Sequence, residues 1–261
     1  MDAQNPEPTT RQNVRAITRA VAILRAFTGE RPSLTLGEVA AQAGLDKATT
    51  RRILLTLQEE ALITQDPVSH RYALGLRILE FVGAVPAFRD LRDESAPLLA
   101  KLAEETRTNV FLSVYREGEA MCLARFQGDH PVHVNWWQVG GRLPINCGGA
   151  PRVLLAFQPQ EEIERRLAGP LMRLTERSQT DPAALRRDMR VIHGRGWEFA
   201  TDDVAVGLSA LGVPILDRTG GCVGAVSIAG LTAHISEPET GAPRFLDETM
   251  ACARRIAASV R

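Results

Sequence analysis

The stretch TLGEVAAQAGLDKATTRRILLTLQEEALI, residues 35–63, decides the fold of the first part of this 261-residue chain. It opens with Thr35 and Glu38, the spacing of a capping box in which each side chain bonds the other residue's backbone amide. Gly44 suits the left-handed position that ends a helix, and Asp46 suits the N-cap of the next helix. The stretch therefore predicts a short helix, a glycine-containing turn and a longer second helix, which together form a helix-turn-helix.

The first two turns of the second helix are crowded with polar side chains. They are those of Lys47, Thr49, Thr50, Arg51 and Arg52. Cations at this end face the positive pole of the helix dipole, which is unfavourable unless an anion such as a DNA phosphate lies nearby. In a helix-turn-helix these turns enter the major groove, where such groups bond phosphates and base edges. The pattern predicts a DNA-reading helix. Its buried face is expected to comprise Thr50, Ile53, Leu54, Leu57 and Ala61.

The segments on either side complete a winged helix-turn-helix over residues 13–75. Upstream, NVRAITRAVAILRAF predicts a first helix, because apolar residues recur at helical spacing. The face expected to be buried comprises Ile17, Ala20, Val21, Leu24 and Phe27. Downstream, residues 62–64 and 71–74 predict two short strands, with QDPVSH as their turn. This hairpin would be the β-wing.

Local charge agrees with DNA binding, although 31 basic and 31 acidic residues leave the whole chain neutral. Between Arg11 and Gln58 there are eight basic and three acidic side chains. A local basic excess favours a polyanionic partner, here double-stranded operator DNA. The alternative is an ordinary helical subdomain with a solvated charged face. The candidate DNA-binding residues are Thr35, Lys47, Thr49, Thr50, Arg51, Arg52, His70 and Arg71.

Composition and chain ends indicate a cytoplasmic protein with no membrane contact. Residues 1–12 are rich in Pro, Thr and Asn and predict a flexible tail without the apolar core of a signal peptide. No apolar run approaches the ~20 residues that span a bilayer. The four cysteines lie far apart, a spacing typical of reduced thiols. We expect the protein to be associated with the nucleoid.

Residues 89–261 predict a second domain of the α+β class, joined to the first by a linker helix over residues 76–88. A helix in APLLAKLAEETR precedes three strand-like runs, TNVFLSVY, AMCLARF and VHVNWWQV. Helical patterns in RVLLAF, QEEIERRLA and PAALRRDMRVIHGRG follow, then the strands SALGVPIL and GCVGAVSIAG and a C-terminal helix. Neighbouring strand pairs with helices between them favour a largely antiparallel sheet covered by helices.

The stretch PINCGGAPRVLLAF, residues 144–157, is the candidate ligand site of the second domain. Pro151 suits the first turn of a helix, and small residues before it permit close approach of a ligand to the backbone. Consecutive free amides before a helix form an anion-binding concavity, which suits a small carboxylate. The alternative is a glycine-rich connection selected for turn geometry alone.

Several segments in order resemble the IclR family of bacterial transcriptional regulators. The winged-helix stretch followed by YALGLRILEF, then VGGRLPINCGGAPRVLLAF, RRDMRVIHGRGW and GLSALGVPILDRTGGCVGAVSIAG, carry the resemblance over about residues 14–260. It implies a DNA-binding regulator whose subunits pair as a homodimer or as a dimer of dimers. It also implies a GAF-like or profilin-like second domain that binds a small organic acid as effector and needs no cofactor.

The resemblance also implies which residues line the effector site. They are Asn146, Cys147, Gly148, Gly149, Ala150, Asp202, Asp203, Ala210, Leu211, Ser227 and Ala229. The last strand has Ser227 and then Ala229 where the family often has two serines, which removes a hydroxyl. A smaller loop and fewer hydroxyls suggest a larger, more apolar effector such as an aromatic acid. Trp136 and Trp137 are candidate walls, with core or interface roles as alternatives.

Two other classes of function stay open at this point. A small thiol- or metal-dependent enzyme would use Cys147 as nucleophile, or His130 and His133 as metal ligands. On a strand, however, residues i and i+3 face opposite sides, and no His and Asn or Asp signature accompanies the cysteine. A non-DNA adaptor would use the winged helix for protein contacts. We expect no metal site and no catalytic residue.

Overall fold

The computed structural model describes residues 14–85, 89–129 and 137–259, and the chain divides after Val85 into two compact units. The predicted tail, residues 86–88 of the predicted linker, and the greater part of VHVNWWQV lie outside the described residues. Within the predicted linker the structure has one helix, Ile78–Gly83. No helix among the described residues is long and apolar enough to cross a membrane.

The first unit is a three-helix arrangement with a small antiparallel sheet. Its elements are α1 (Arg15–Arg25), β1 (Ser33–Leu34), α2 (Leu36–Ala43), α3 (Lys47–Glu59), β2 (Ile63–Gln65), β3 (Tyr72–Leu74) and α4 (Ile78–Gly83). The predicted wing strands are β2 and β3, and β1 extends the sheet in the order β1-β3-β2. The capping box of Thr35 and Glu38 is present, and Gly44 ends α2 with φ of 64°. The local signals thus set the bounds of α2 and α3.

The core of the first unit differs from the predicted faces at two places. Leu54 and Leu57 of α3 are buried as expected, but Ala61 lies beyond the helix end with φ of 55° and is exposed. On α1 the expected Ile17 and Val21 are 63% and 39% exposed. Burial on α1 is concentrated near its C-terminal end. The core residues there are Ile23, Ala26 and Phe27.

The second unit is built on one six-stranded antiparallel sheet. Its helices are α5 (Arg89–Thr106), α6 (Gly149–Ala156), α7 (Gln160–Leu167), α8 (Pro182–Arg195), α9 (Thr232–Ile235) and α10 (Leu246–Ser259). Its strands are β4 (Asn109–Arg116), β5 (Glu119–Gln127), β6 (Arg142–Pro144), β7 (Glu198–Thr201), β8 (Leu208–Leu216) and β9 (Cys222–Leu231). The strand order is β6-β5-β4-β9-β8-β7, which confirms the predicted α+β class.

Helices cover both faces of this sheet and give the unit three layers. Residues of α6, α7 and α8 pack with one set of strand side chains, and residues of α5 and α10 pack with the other set. Successive side chains of a strand point to opposite faces, so β9 sends Ala225 and Ala229 to the first layer and Val226 and Ile228 to the second. The candidate ligand site lies on the α6 side.

Candidate DNA-binding helix and ligand cavity

The N-terminal half of α3 presents an exposed positive surface. Asp46 caps the helix, its Oδ1 accepting the Thr49 N–H at 2.8 Å. Lys47, Arg51 and Arg52 are exposed, and none of the three forms an ion pair with a described residue. Exposed cations without internal partners are available to an external polyanion such as DNA.

Thr50 was predicted both as a DNA contact and as a buried residue, and the structure supports only the second role. Its side chain is fully buried, and its hydroxyl donates to the Asp46 carbonyl oxygen at 2.8 Å. The prediction of a DNA contact was wrong because Thr50 shares a helix face with Leu54 and Leu57, one and two turns further on.

The wing turn is ordered by Asp66, which leaves His70 exposed. Asp66 Oδ1 accepts from the Ser69 N–H at 2.6 Å and from the Val68 N–H at 3.1 Å. These hydrogen bonds hold the pKa of Asp66 below its ordinary value, and the bond from the Ser69 amide contributes most. His70 has φ of 56°, and Val68 is exposed at the wing tip.

Two other residues predicted to contact DNA, Arg71 and Thr35, form hydrogen bonds within the first unit. The Arg71 guanidinium donates to the Ser33 carbonyl oxygen at 2.8 Å and to a Glu38 carboxylate oxygen at 3.1 Å. Thr35 is exposed, but its hydroxyl is used by Glu38 in the cap of α2. Arg71 therefore ties the wing to the start of α2, and because its side chain is still 38% exposed, its contact with DNA stays a prediction.

A cavity lies between the start of α6 and the sheet of the second unit. It comprises about 440 Å³ of space outside atoms, open solvent at its mouth included. Its lining is mostly apolar. The lining residues are Phe111, Trp137, Leu143, Gly148, Gly149, Ala150, Pro151, Ala200, Asp203, Val204, Leu208, Ser209, Ala210, Ser227 and Ala229.

Two aromatic rings form part of the lining. Phe111 of β4 and Trp137 stack with their ring centroids 5.2 Å apart and their planes at 29°. The Trp137 indole N–H donates to the Gly141 carbonyl oxygen at 3.1 Å, so its polar atom is satisfied within the chain. The expectation that Trp137 walls the cavity agrees with its position, whereas Trp136 lies outside the described residues.

Asp203 is the one ionisable side chain that lines the cavity among the described residues. Its Oδ2 accepts the Gly148 N–H at 2.7 Å. Its backbone is held in turn, since the Ser178 hydroxyl donates to the Asp203 carbonyl oxygen at 2.6 Å. Asp203 is only 6% exposed, and this burial raises the pKa of its carboxyl group, while the Gly148 hydrogen bond opposes the shift.

The two serines of the lining differ in their hydrogen bonding. Ser209 donates to the Thr201 hydroxyl at 2.9 Å and lies 2.8 Å from the Thr232 hydroxyl. Ser227 is 2% exposed, and its hydroxyl has no side-chain hydrogen bond within the described part of the chain. Ser227 therefore offers the cavity an uncommitted polar group.

The glycines of the loop serve packing as much as ligand approach. A Cβ on Gly149 would lie 2.6 Å from the Ala210 carbonyl oxygen and 2.7 Å from the Gly212 nitrogen. Helix α6 thus approaches β8 so closely that only glycine fits at this position. Gly148 has φ of 87°, and its N–H is already bonded to Asp203. One of the amides that the sequence predicted to be free, that of Gly148, is therefore bonded within the chain.

Four predicted effector residues do not line the cavity. Leu211 packs on the α5 and α10 side, because it alternates with Ala210 along β8. The Asn146 amide donates to the Met172 and Gln179 carbonyl oxygens at 2.8 and 2.9 Å and so supports the loop from behind. Asp202 accepts from the Gly207 N–H at 2.6 Å. The fourth residue is Cys147.

Cys147 is a buried thiol next to the Met172 carbonyl oxygen, 3.5 Å from its Sγ. Burial raises the pKa of this thiol, whereas a nucleophilic cysteine needs a lowered pKa. Its burial and its raised pKa are both typical of a structural cysteine rather than of a nucleophile.

A charge cluster fixes α6 beside the cavity. Arg152 follows Pro151 and pairs with Glu198 of β7 at 2.8 Å and with Asp188 of α8 at 2.7 Å. Glu198 also pairs with Arg195. These bonds tie the helix that carries the cavity loop to its two neighbours.

The sequence did not point to several lining residues. Phe111 and Ser209 lie within apolar strands, and strand pairing brings them to the site, with Phe111 opposite Ser227 and Ser209 opposite Gly230. Val204 and Pro151 directly follow the predicted residues Asp203 and Ala150. Extending each predicted segment by one residue would have included them. The remaining missed residues are Leu143, Ala200 and Leu208.

Comparison with known proteins identifies both units. The family described as IclR helix-turn-helix domain matches residues 16–67, and the family described as Bacterial transcriptional regulator IclR C-terminal matches residues 85–258. The chain belongs to the IclR family. It is therefore a transcriptional regulator with a helix-turn-helix DNA-binding domain and an IclR-type ligand-binding domain, and the enzyme and adaptor alternatives are set aside.

Individual IclR relatives cover most of the chain. The glycerol operon regulatory protein of Streptomyces griseus is 28% identical over 94% of this chain and 96% of its own length. The Pca operon regulatory protein of Acinetobacter baylyi is 30% identical over 86% and 81%. Among solved structures, an IclR homolog from Microbacterium hydrocarbonoxydans complexed with 4-hydroxybenzoate superposes with a TM-score of 0.83 at 24% identity, over 94% and 99%.

Proposed function

We propose that this IclR regulator binds operator DNA as a homodimer through the N-terminal half of α3. We further propose that an aromatic organic ligand binds the cavity of the second unit and changes operator affinity. The observation that carries the first part is that Lys47, Arg51 and Arg52 are exposed and form no ion pair with any described residue.

The charge arrangement on α3 supports DNA binding. Three cations near the positive end of a helix repel one another and the helix dipole in the free protein. A phosphate backbone removes this cost and gains from counterion release. Thr49, half-buried at the same end, adds a hydroxyl at the edge of the surface.

The cavity lining supports an aromatic ligand. Phe111 and Trp137 provide ring surfaces, and the lining around them is mostly apolar. The Microbacterium homolog was solved in complex with 4-hydroxybenzoate, which makes a substituted benzene ring a reasonable first probe here.

Exposed apolar residues in the first unit support pairing of two chains. Val14, Ile17 and Val21 lie on one side of α1 and are 61%, 63% and 39% exposed. Leu79 and Phe81 of α4 are also exposed. Exposed apolar groups of this density mark interaction surfaces, and two reading helices are needed for specific binding to a two-fold operator.

The DNA-binding role is tested by Arg51→Ala and Arg52→Ala in the full-length chain. The probe is a duplex selected from random-sequence DNA by the wild-type protein, and affinity is measured by fluorescence anisotropy at several salt concentrations. Each substitution should weaken binding several-fold, and the salt slope should fall by about one for each phosphate that the variant no longer neutralises.

The matched control is Arg187→Ala. Arg187 lies on α8 and is exposed, with no ion pair to a described residue. Its substitution therefore removes the same charge from another part of the chain. Operator affinity unchanged by both α3 substitutions, or equally reduced by the control, would refute the proposed DNA-binding surface.

A further inference from the structure

We propose that a groove at the C-terminal end of α6, between α7 and α8, is a second ligand site, which binds a small carboxylate with a short apolar chain. The groove comprises about 640 Å³ of space outside atoms, open solvent included. Among the residues that the structure describes, its lining shares no member with the lining of the cavity at the start of α6. This site is therefore independent of the proposed aromatic ligand.

The floor of the groove is apolar. It is formed by Ala156 of α6, Ile163 of α7 and Met189 of α8, which are 3%, 6% and 2% exposed. A ligand chain that lies against these side chains leaves water for an apolar surface, which is favourable. The floor thus favours a ligand with a small apolar body over a bare inorganic ion.

One side of α8 forms the polar wall of the groove. Arg186, Arg190 and His193 are spaced at i, i+4 and i+7, so they lie on the same side of the helix. The Arg186 guanidinium donates from Nε to Glu164 Oε1 at 2.8 Å and from Nη2 to Glu164 Oε2 at 2.6 Å. This pair joins α7 to α8, and its two charges cancel.

Arg190 supplies the positive charge that is left. It is exposed, and its side chain forms no ion pair or hydrogen bond with a described residue. The nearby Glu164 carboxylate already accepts from Arg186 and, at 2.8 Å, from the Gln160 side-chain amide. The Arg186 hydrogen bond does most to hold the pKa of Glu164 below its ordinary value, and the charge of Arg190 adds a smaller share. The guanidinium of Arg190 is thus available to a ligand carboxylate, whose two oxygens match its donor geometry.

His193 adds a second donor three residues further along α8. Its ring stacks on Phe157 with the centroids 4.6 Å apart and the planes at 29°. This contact fixes the plane of the imidazole, whose nitrogens form no hydrogen bond within the described part of the chain. An imidazole N–H donates to a carboxylate oxygen, and residues i and i+3 of a helix are close enough to act on one group. Arg190 and His193 therefore offer donors to the same carboxylate.

The end of α6 is capped in a way that favours an anion in the groove. Bare carbonyl oxygens at a helix C-terminus repel anions. Here the Leu154 carbonyl oxygen accepts from the Gln158 side-chain amide at 3.0 Å, and the Leu155 carbonyl oxygen accepts from the Gln158 N–H at 3.0 Å. Because these oxygens are engaged, the negative end of α6 opposes the positive charge of Arg190 less.

The test is a titration with butyrate of the full-length protein, labelled with ¹³C in its methionine methyl groups and followed by nuclear magnetic resonance at low salt. Low salt is used because salt screens exposed charges. Met189 lies in the floor of the groove, and its signal is assigned by its absence in Met189→Leu, a swap that cores tolerate. We expect a saturable shift of the Met189 methyl signal.

Two further probes and one variant separate the contributions. Butyramide has the same chain without the charge, and acetate has the charge with a shorter chain, so both should bind several-fold more weakly than butyrate. Arg190→Ala should weaken butyrate about threefold or more and leave butyramide unaffected. The matched control is Arg187→Ala, which removes an exposed charge from the same helix outside the groove lining and should leave butyrate affinity unchanged.

Three results would overturn this site. They are a Met189 signal that butyrate does not shift, equal affinity for butyrate and butyramide, and equal weakening of butyrate by Arg190→Ala and Arg187→Ala. Acetate or inorganic phosphate binding more tightly than butyrate would overturn the role of the apolar floor. If Met189→Leu does not fold, calorimetry of the wild type, Arg190→Ala and Arg187→Ala with butyrate and butyramide decides the question by the same comparisons.

Discussion

Single residues on α3 and β8 show how one position along an element separates a binding role from a core role. Arg51 is exposed, while Thr50 beside it is buried, because each step along a helix turns the side chain by about 100°. Ala210 lines the cavity, while Leu211 packs on the other side of the sheet. Helical spacing predicted Thr50 on the buried face of α3, but the sequence did not separate Ala210 from Leu211, both of which were expected to line the ligand site.

Glu38 provides a prediction at this scale. Its carboxylate accepts from the Thr35 N–H at 2.7 Å and pairs with Arg71 at 3.1 Å. The Thr35 amide bond, followed by the Thr35 hydroxyl, holds the pKa of Glu38 below its ordinary value. A lowered pKa stabilises the fold above the unfolded-state pKa, and this contribution is lost as the pH falls through the folded-state pKa.

We therefore expect Glu38→Gln to lower the melting temperature of the first unit at pH 7 and to have a smaller effect near pH 3. Thermal unfolding followed by circular dichroism at both pH values measures this difference. A loss of stability that is equal at pH 7 and pH 3 would show that the charge of Glu38 is not the cause.

At the scale of elements, caps and periodicity predicted most helices and the paired strands, but they did not predict the short edge strands. The strands β1, β6 and β7 have two, three and four residues, too few to show alternation. They form because a neighbouring strand offers free backbone groups. The predicted buried face of α1 was also wrong in part, because Ile23 is buried in the core whereas Ile17 and Val21 are exposed.

The exposed side of α1 supplies the prediction for this scale. Ile17→Glu places a charge in the proposed dimer surface and should shift the full-length protein toward monomer in sedimentation velocity, with weaker operator binding. Val191→Glu is the control, since Val191 on α8 is similarly exposed at 56%. An unchanged oligomeric state in Ile17→Glu would exclude this face from pairing.

For the whole molecule, the two compact units divide the work of a regulator. The basic helix tip lies in the first unit and the cavity in the second, while the total charge of the chain is zero. Charge is thus concentrated where DNA is expected, and an apolar cavity is set where a small ligand is expected. A ligand regulates DNA binding only if it binds the DNA-competent and other arrangements with different affinity.

The most direct measurement of this central claim is operator affinity of the full-length protein with and without saturating aromatic ligand. The ligand is 4-hydroxybenzoate, the first probe for the cavity, and the duplex is the one selected by the wild-type protein. Typical coupling free energies predict a change of about 5-fold or more in the operator Kd, with the ligand Kd changed by the same factor on the DNA complex. Identical operator Kd values at zero and saturating ligand would contradict a ligand-responsive regulator.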